Sequence, residues 1–178
     1  GTVQIAAGFT SLFLQQALGD RLLFTATDAT SGYELWRSDG TLLGTQLVAD
    51  IRPGTAGSFI LSLVVFDGTA YFQANDGVNG AELWRSDGTE AGTWMVADVA
   101  PGSASAGPGF FAFMNGMLYF RATSTPAVTE LWRSDGTAAG TTLVKQVAVS
   151  SPRTVLNGAL YFGASEAATG AELWTSDG

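Results

Sequence analysis

The sequence predicts an all-β fold, a β-propeller built from four-stranded antiparallel blades. Three observations lead there. The chain repeats itself four times, each repeat alternates with the period of strands, and several of those strands are apolar on both faces.

The repeat is marked by Glu-Leu-Trp, which recurs at Glu34-Leu35-Trp36, Glu82-Leu83-Trp84, Glu130-Leu131-Trp132 and Glu172-Leu173-Trp174, at spacings of 48, 48 and 42 residues. Each copy continues to Ser-Asp-Gly, and a Gly-Thr pair opens each unit at Gly1-Thr2, Gly44-Thr45, Gly92-Thr93 and Gly140-Thr141. Tyr71-Phe72, Tyr119-Phe120 and Tyr161-Phe162 precede the motif in three units, and Leu23-Phe24 takes their place in the first. Four landmarks in one register define a single repeat domain over residues 1–178, with units 1–40, 41–88, 89–136 and 137–178.

Within the second unit, Thr45 to Ile51 alternates and is β-branched, and Arg52-Pro53-Gly54 interrupts it. Leu63 to Phe66 is a second strand, closed by Asp67-Gly68, a type I′ hairpin signal. Gly19-Asp20, Asn115-Gly116 and Asn157-Gly158 stand at the equivalent turns. Ala70 to Ala74 and Ala81 to Ser86 complete four strands, and no stretch carries the 3.6-residue period of a helix. Counted this way, the Thr45–Ile51 strand opens its blade, which puts Asp50 and Asp98 on the innermost strand if chain order runs from axis to rim.

Alternation sends Leu35 to one face of its strand and Trp36 to the other. A strand apolar on both faces needs cover on both sides, which blades stacked around an axis supply. A β-solenoid is the main rival, but its coils are shorter and lack three hairpin turns per repeat. Four blades either close a small ring or form an arc of a larger one, completed by further repeats of a longer chain or by another copy; the longer array is the expected parent. The lack of an initiator Met agrees with a fragment or processed product.

The runs Glu34 to Thr41, Glu82 to Thr89 and Glu130 to Thr137, each Glu-Leu-Trp-Arg-Ser-Asp-Gly-Thr, resemble the bacterial ELWxxDGT repeat family, as does Val48-Ala49-Asp50-Ile51-Arg52-Pro53-Gly54. The resemblance covers the whole chain and implies a large, secreted, repetitive bacterial protein folded as a propeller. At the Ala-Asp-Ile positions the first unit has Ala6-Ala7-Gly8, and the fourth has Lys145-Gln146-Val147.

Composition narrows the chemistry. With no Cys there is no disulfide, zinc knuckle or thiol nucleophile, and with no His there is no Ser-His-Asp triad or imidazole base. Sixteen Asp and Glu against eight Lys and Arg give a net charge of −8, which argues against nucleic acid or an anionic membrane surface as partner. Unbroken apolar runs such as Leu63 to Phe66 are far too short to insert in a membrane as a helix. A single lysine and abundant Ser, Thr and Gly suit an extracellular or cell-surface setting.

Two constellations are candidate sites. Glu34, Trp36 and Arg37, with Glu82, Trp84, Arg85 and Glu130, Trp132, Arg133, place an aromatic platform beside hydrogen-bonding groups once per blade, as a sugar site would. The competing reading makes each Trp a blade-to-blade core residue and each Glu–Arg a structural pair. Asp28 and Asp76 share a register six residues before the motif Glu, and Asp76, Asn79 and Glu82 are oxygen donors that would suit Ca²⁺. The competing reading there is a polar hairpin loop, and Ser124 with Pro126 breaks the pattern in the third unit. Apart from that Ca²⁺, no cofactor is indicated. Repeated rather than unique acidic residues favour multivalent binding or structure over catalysis. The expected function is a non-catalytic binding or display module for a glycan or surface protein. The alternative is a structural subunit that assembles with its own copies into a fibre or surface layer.

Overall fold

The computed structural model describes residues 2–125, 129–150 and 154–178. Gly1 of the first Gly-Thr pair and Pro126 lie outside the described residues. Among the described residues there is no helix, and the chain forms four antiparallel sheets. This is the β-propeller architecture the repeat predicts.

Sheet 1 contains β1 (Ser11–Leu18), β2 (Arg21–Asp28), β3 (Gly32–Ser38) and β4 (Gln46–Ala49), paired in chain order. Sheet 2 repeats the pattern with β5 (Leu61–Phe66), β6 (Thr69–Asn75), β7 (Ala81–Ser86) and β8 (Thr93–Ala97). Sheet 3 does so with β9 (Gly109–Met114), β10 (Met117–Ala122), β11 (Glu130–Ser134) and β12 (Thr142–Lys145). Sheet 4 differs. Its β13 (Ala148–Val149) and β14 (Thr154–Leu156) both pair with the same edge of β15 (Ala159–Glu166), and β16 (Gly170–Ser176) takes the other edge. Among the described residues no strand lies beyond β16.

The sheets are cut one strand out of phase with the repeat units. The Thr45–Ile51 run supplies β4, the last strand of sheet 1, and does not open sheet 2. β1 packs on β5, β5 on β9, and β9 on β14, so the first strands form the inner edge of the arc and β4, β8 and β12 the outer edge. Asp50 and Asp98, which follow β4 and β8, therefore sit at the rim and are exposed, not on an inner strand.

Turn chemistry follows the sequence closely. Both residues of Asp67-Gly68, Asn115-Gly116 and Asn157-Gly158 have positive φ, as a type I′ turn requires, whereas at Gly19-Asp20 only Gly19 does, the type II′ signature. Each Ser-Asp-Gly-Thr turn is a small hydrogen-bonded knot. Asp39 accepts from the Thr41 N–H and hydroxyl at 2.9 and 2.7 Å, and the Ser38 and Thr45 hydroxyls meet at 2.8 Å. Asp87 with Thr89, and Asp135 with Thr137, repeat the arrangement.

Three apolar clusters fill the spaces between consecutive sheets. The motif leucines, Leu35, Leu83 and Leu131, each face the following sheet; Trp84, Trp132 and Trp174 each face the preceding one. Between sheets 1 and 2, Leu35, Val48 and Ile51 thus meet Phe72 and Trp84. Among the described residues no sheet precedes sheet 1, and Phe9, from the N-terminal segment, covers Trp36 with ring centroids 4.8 Å apart.

Candidate functional site

The motif glutamates of the first three units are interior, whereas Glu172 is exposed. Glu34 is 0% exposed and its carboxylate accepts hydrogen bonds from the Ile51 and Arg52 N–H groups and, at 2.6 Å, from the Ser58 hydroxyl. Glu82, also fully buried, accepts from the N–H groups of Val99, Ala100 and Ala106. Each carboxylate thus clasps the segment that crosses to the next sheet. That segment lies outside the strand ladders, so its N–H groups need partners, and the side chain supplies them. Burial pushes both Glu34 and Glu82 up to about 7, against the hydrogen bonds that favour their charged form. Glu130 departs from this, accepting from the Ser124 N–H and hydroxyl and from the Trp132 indole N–H at 2.9 Å.

The motif arginines point the other way. Arg37 donates to the Gly88 carbonyl, Arg85 to that of Gly136 and Arg133 to that of Gly178, at 2.8, 3.4 and 3.0 Å. Arg85 also lies over the Trp94 ring at 4.7 Å. The Glu–Arg pair expected between neighbouring blades does not form among the described residues, because the carboxylates are taken up by the crossing segments and the guanidinium groups by the Gly carbonyls of the next turn. Among the described residues the ion pairs are the exposed Arg21–Asp20 and Lys145–Glu166. Glu34, Glu82 and Glu130 are therefore turned inward, Trp84 and Trp132 pack against the preceding sheet and Trp36 against Phe9, so the three residue types do not form one surface cluster per blade.

The proposed cation residues separate in the same way. Burial alone would raise the pKa of Asp76, but the Val78 and Asn79 N–H groups and the Asn79 amide hold it below its ordinary value. Ser31 and Thr30 do the same for Asp28 despite its partial burial. Glu82 turns instead toward the segment beyond β8. Among the described residues no three acidic side chains converge.

What the arc does expose is an aromatic hollow at the inner edge, where sheets 1 and 2 meet. Ser11, Phe13, Thr27, Tyr33, Phe59 and Leu61 line a cavity of about 590 Å³. Its hydroxyls satisfy one another or a neighbour: Ser11 donates to Thr27 at 2.7 Å, and Tyr33 meets Thr25 at 2.6 Å. The remaining wall is apolar, and Phe13, Phe59 and Leu61 are 57, 58 and 52% exposed. Phe59 has a φ of 52°, a left-handed conformation that costs a bulky residue about 1–2 kcal/mol. Sequence reasoning misses this site because its aromatic residues do not recur in register.

No family profile matches the chain, and no curated protein does. Solved structures do. A puromycin hydrolase aligns at a TM-score of 0.65 with 16% identity over 95% of this chain, which spans only 27% of that protein. A prolyl endopeptidase aligns at 0.53 with 15% identity, over 89% of this chain and 25% of its own. The computationally designed Ika4 protein aligns at 0.50 with 14% identity, covering 96% of this chain and 94% of the designed one. At such identities the likeness establishes the propeller fold and carries no activity across.

Proposed function

We propose that the chain is a non-catalytic binding module of an extracellular or cell-surface protein, holding an apolar side chain of a protein ligand in the hollow between sheets 1 and 2. The observation that carries this reading is Phe59. A large aromatic ring kept exposed, on a backbone conformation that works against it, has no packing reason to be there, and such strain tends to persist at binding sites. Phe13, Tyr33 and Leu61 form the rest of the anchor pocket. The hydroxyls around it are already partnered, so recognition rests on shape and apolar contact, which suits a protein segment better than a glycan. The buried motif glutamates are committed to backbone N–H groups and leave no free acid–base pair at the hollow. The acidic, lysine-poor, cysteine-free composition supports that setting.

Selection of displayed peptides on the immobilised chain tests this reading. Peptides with aromatic or aliphatic anchors should be enriched and should lose at least tenfold in affinity against Phe59→Asn, with Leu43→Ser, exposed but remote from the hollow, as the unaffected control. Equal binding by Phe59→Asn, or enrichment only on a glycan array, would overturn it.

A further inference from the structure

The residue before Phe59 ties the aromatic hollow to the first motif glutamate. Ser58 is fully buried, its N–H donates to the Tyr33 carbonyl at 2.9 Å, and its own carbonyl accepts from the Asn75 N–H of sheet 2 at 2.9 Å. Its hydroxyl donates to Glu34 at 2.6 Å and also lies 3.3 Å from the Tyr33 carbonyl. Tyr33 and Phe59, the sequence neighbours of Glu34 and Ser58, are two walls of the hollow. One hydrogen bond and one residue separate the carboxyl from the exposed ring.

The next junction shows what this arrangement adds. One repeat further on, Ala106 and Gly107 stand where Ser58 and Phe59 do, and the Thr123 N–H donates to the Ala106 carbonyl just as that of Asn75 does to Ser58. Gly107 has a φ of 57° against 52° for Phe59, so the left-handed backbone belongs to the junction and not to the residue that occupies it. Glycine adopts it freely, whereas Phe59 must be held there. Glu34 meets a side-chain hydroxyl at this point, where Glu82 meets backbone N–H groups alone.

We propose that Glu34 is the positioning residue of the hollow, holding Phe59 in place through the Ser58 hydroxyl; this rests on the hollow being the binding site proposed above. The bond has two states. With Glu34 ionised, the hydroxyl donates to it in a short charge-assisted bond, roughly twice as strong as a neutral one. With Glu34 protonated, its own O–H donates to the Ser58 oxygen, and the hydroxyl proton turns to the Tyr33 carbonyl across the longer 3.3 Å. Both states are satisfied, and the ionised one holds Ser58, and hence the ring, more firmly. Around the carboxyl, β2 contributes Ala26, and sheet 2 faces the junction with the apolar Phe72 and Ala74. The crossing segment contributes the Ile51 and Arg52 N–H groups and Asp50, whose charge opposes ionisation, while the Arg52 guanidinium lies beside Gly77.

Aromatic ¹³C spectra test this without a ligand. The Phe59 ring resonance, identified by its absence from Phe59→Asn, should shift with pH through about 7, where Glu34 titrates. In Glu34→Gln, whose amide oxygen still accepts from Ser58, the resonance should stay near its place and ignore pH. Ser58→Ala should abolish the pH dependence too, although Glu34 keeps titrating in its carboxyl ¹³C spectrum, and Glu82→Gln should leave it intact. A ring resonance that ignores pH in the unsubstituted chain, or follows it equally in Ser58→Ala, would overturn the proposal.

Binding separates this role from the hollow itself. A fluorescein-labelled peptide with a phenylalanine anchor, taken from the selection above, should bind about threefold more tightly near pH 8 than near pH 5.5, and equally at both in Glu34→Gln. Equal affinity at both in the unsubstituted chain would overturn the positioning role and leave the hollow standing. If the selection yields no such peptide, the hollow reading fails, and the ring titration alone decides whether Glu34 positions Phe59.

Discussion

Arg37, on the third strand of sheet 1, donates to the backbone carbonyl of Gly88, in the turn that ends the third strand of sheet 2, at 2.8 Å. One side chain thereby ties the outer part of one sheet to the polar knot of the next. Repeated from Arg85 and Arg133, the bond is a latch that accompanies the leucine contact on the same face. Truncating Arg37→Ala should cost about 1.5–3 kcal/mol, the range for a hydrogen bond to a charged group, read as a lower urea midpoint at unchanged slope. A loss below about 0.5 kcal/mol would mean that the latch is a surface contact without consequence.

The same motif position should behave in opposite ways along the chain. Leu83 is enclosed between sheets 2 and 3, and Leu83→Ala should cost about 2–5 kcal/mol through lost burial and the cavity left behind. Leu173 is 79% exposed on β16, and Leu173→Ala in the 178-residue chain should change stability by less than about 0.5 kcal/mol. Similar losses at both positions would show that Leu173 is covered within its own chain.

Gly57 marks a close approach between a crossing segment and the sheet it leaves. It has a φ of 69°, and a methyl group there would run into the backbone of Tyr33. Tyr33 is held at that spot because its carbonyl accepts from the Ser58 N–H at 2.9 Å. Gly57→Ala should therefore destabilise by more than about 2 kcal/mol, combining steric overlap with an unfavourable φ. Thermal melting reads this, and Gly54→Ala is the comparison: it shares a positive φ but meets open space, and should cost about 1 kcal/mol.

Phe59 should separate stability from binding. Asn tolerates the left-handed region far better than Phe, and the ring buries little, so Phe59→Asn should leave stability unchanged or raise it by up to about 1 kcal/mol. Chemical denaturation checks the sign. A loss above about 1 kcal/mol would make the ring part of the core and remove the argument for a site.

Much of this fold is written in the repeat. The Asp-Gly and Asn-Gly turns, the Leu-forward and Trp-backward faces and the strand count follow from local chemistry and alternation. Sheet phase is harder to read, because a cyclic pattern of four strands has no marked origin. What decides it is the connection after each strand. The Asp39-to-Thr45 knot turns the chain back onto its own sheet, whereas the longer Asp50-to-Ile60 stretch carries it to the next. The candidate site was less legible. Glu34 and Glu82 recur as a ligand set would, yet recurrence here reflects a repeated need to hold a crossing segment. Phe13 and Phe59 belong to the junction of two particular sheets, so no internal comparison singles them out.

The account turns on the motif carboxyls being structural and buried, and their titration tests that most directly. A carboxyl raised from its unfolded value of 4.5 to about 7 contributes stability that is complete below about pH 4.5 and is lost as pH rises through 7. Asp28 and Asp76, held low, work in the other direction, and their contribution is lost as pH falls below their unfolded value near 3.8. Side-chain carboxyl ¹³C titration should find two glutamates with midpoints near 7, absent from Glu34→Gln and Glu82→Gln respectively. The melting temperature should decline between about pH 5 and 8, and less steeply in each variant. Midpoints near 4.5 for both glutamates, with that of Glu34 unmoved by Ser58→Ala, would contradict the account, because neither burial nor the hydrogen bond from the crossing segment would then act on these side chains.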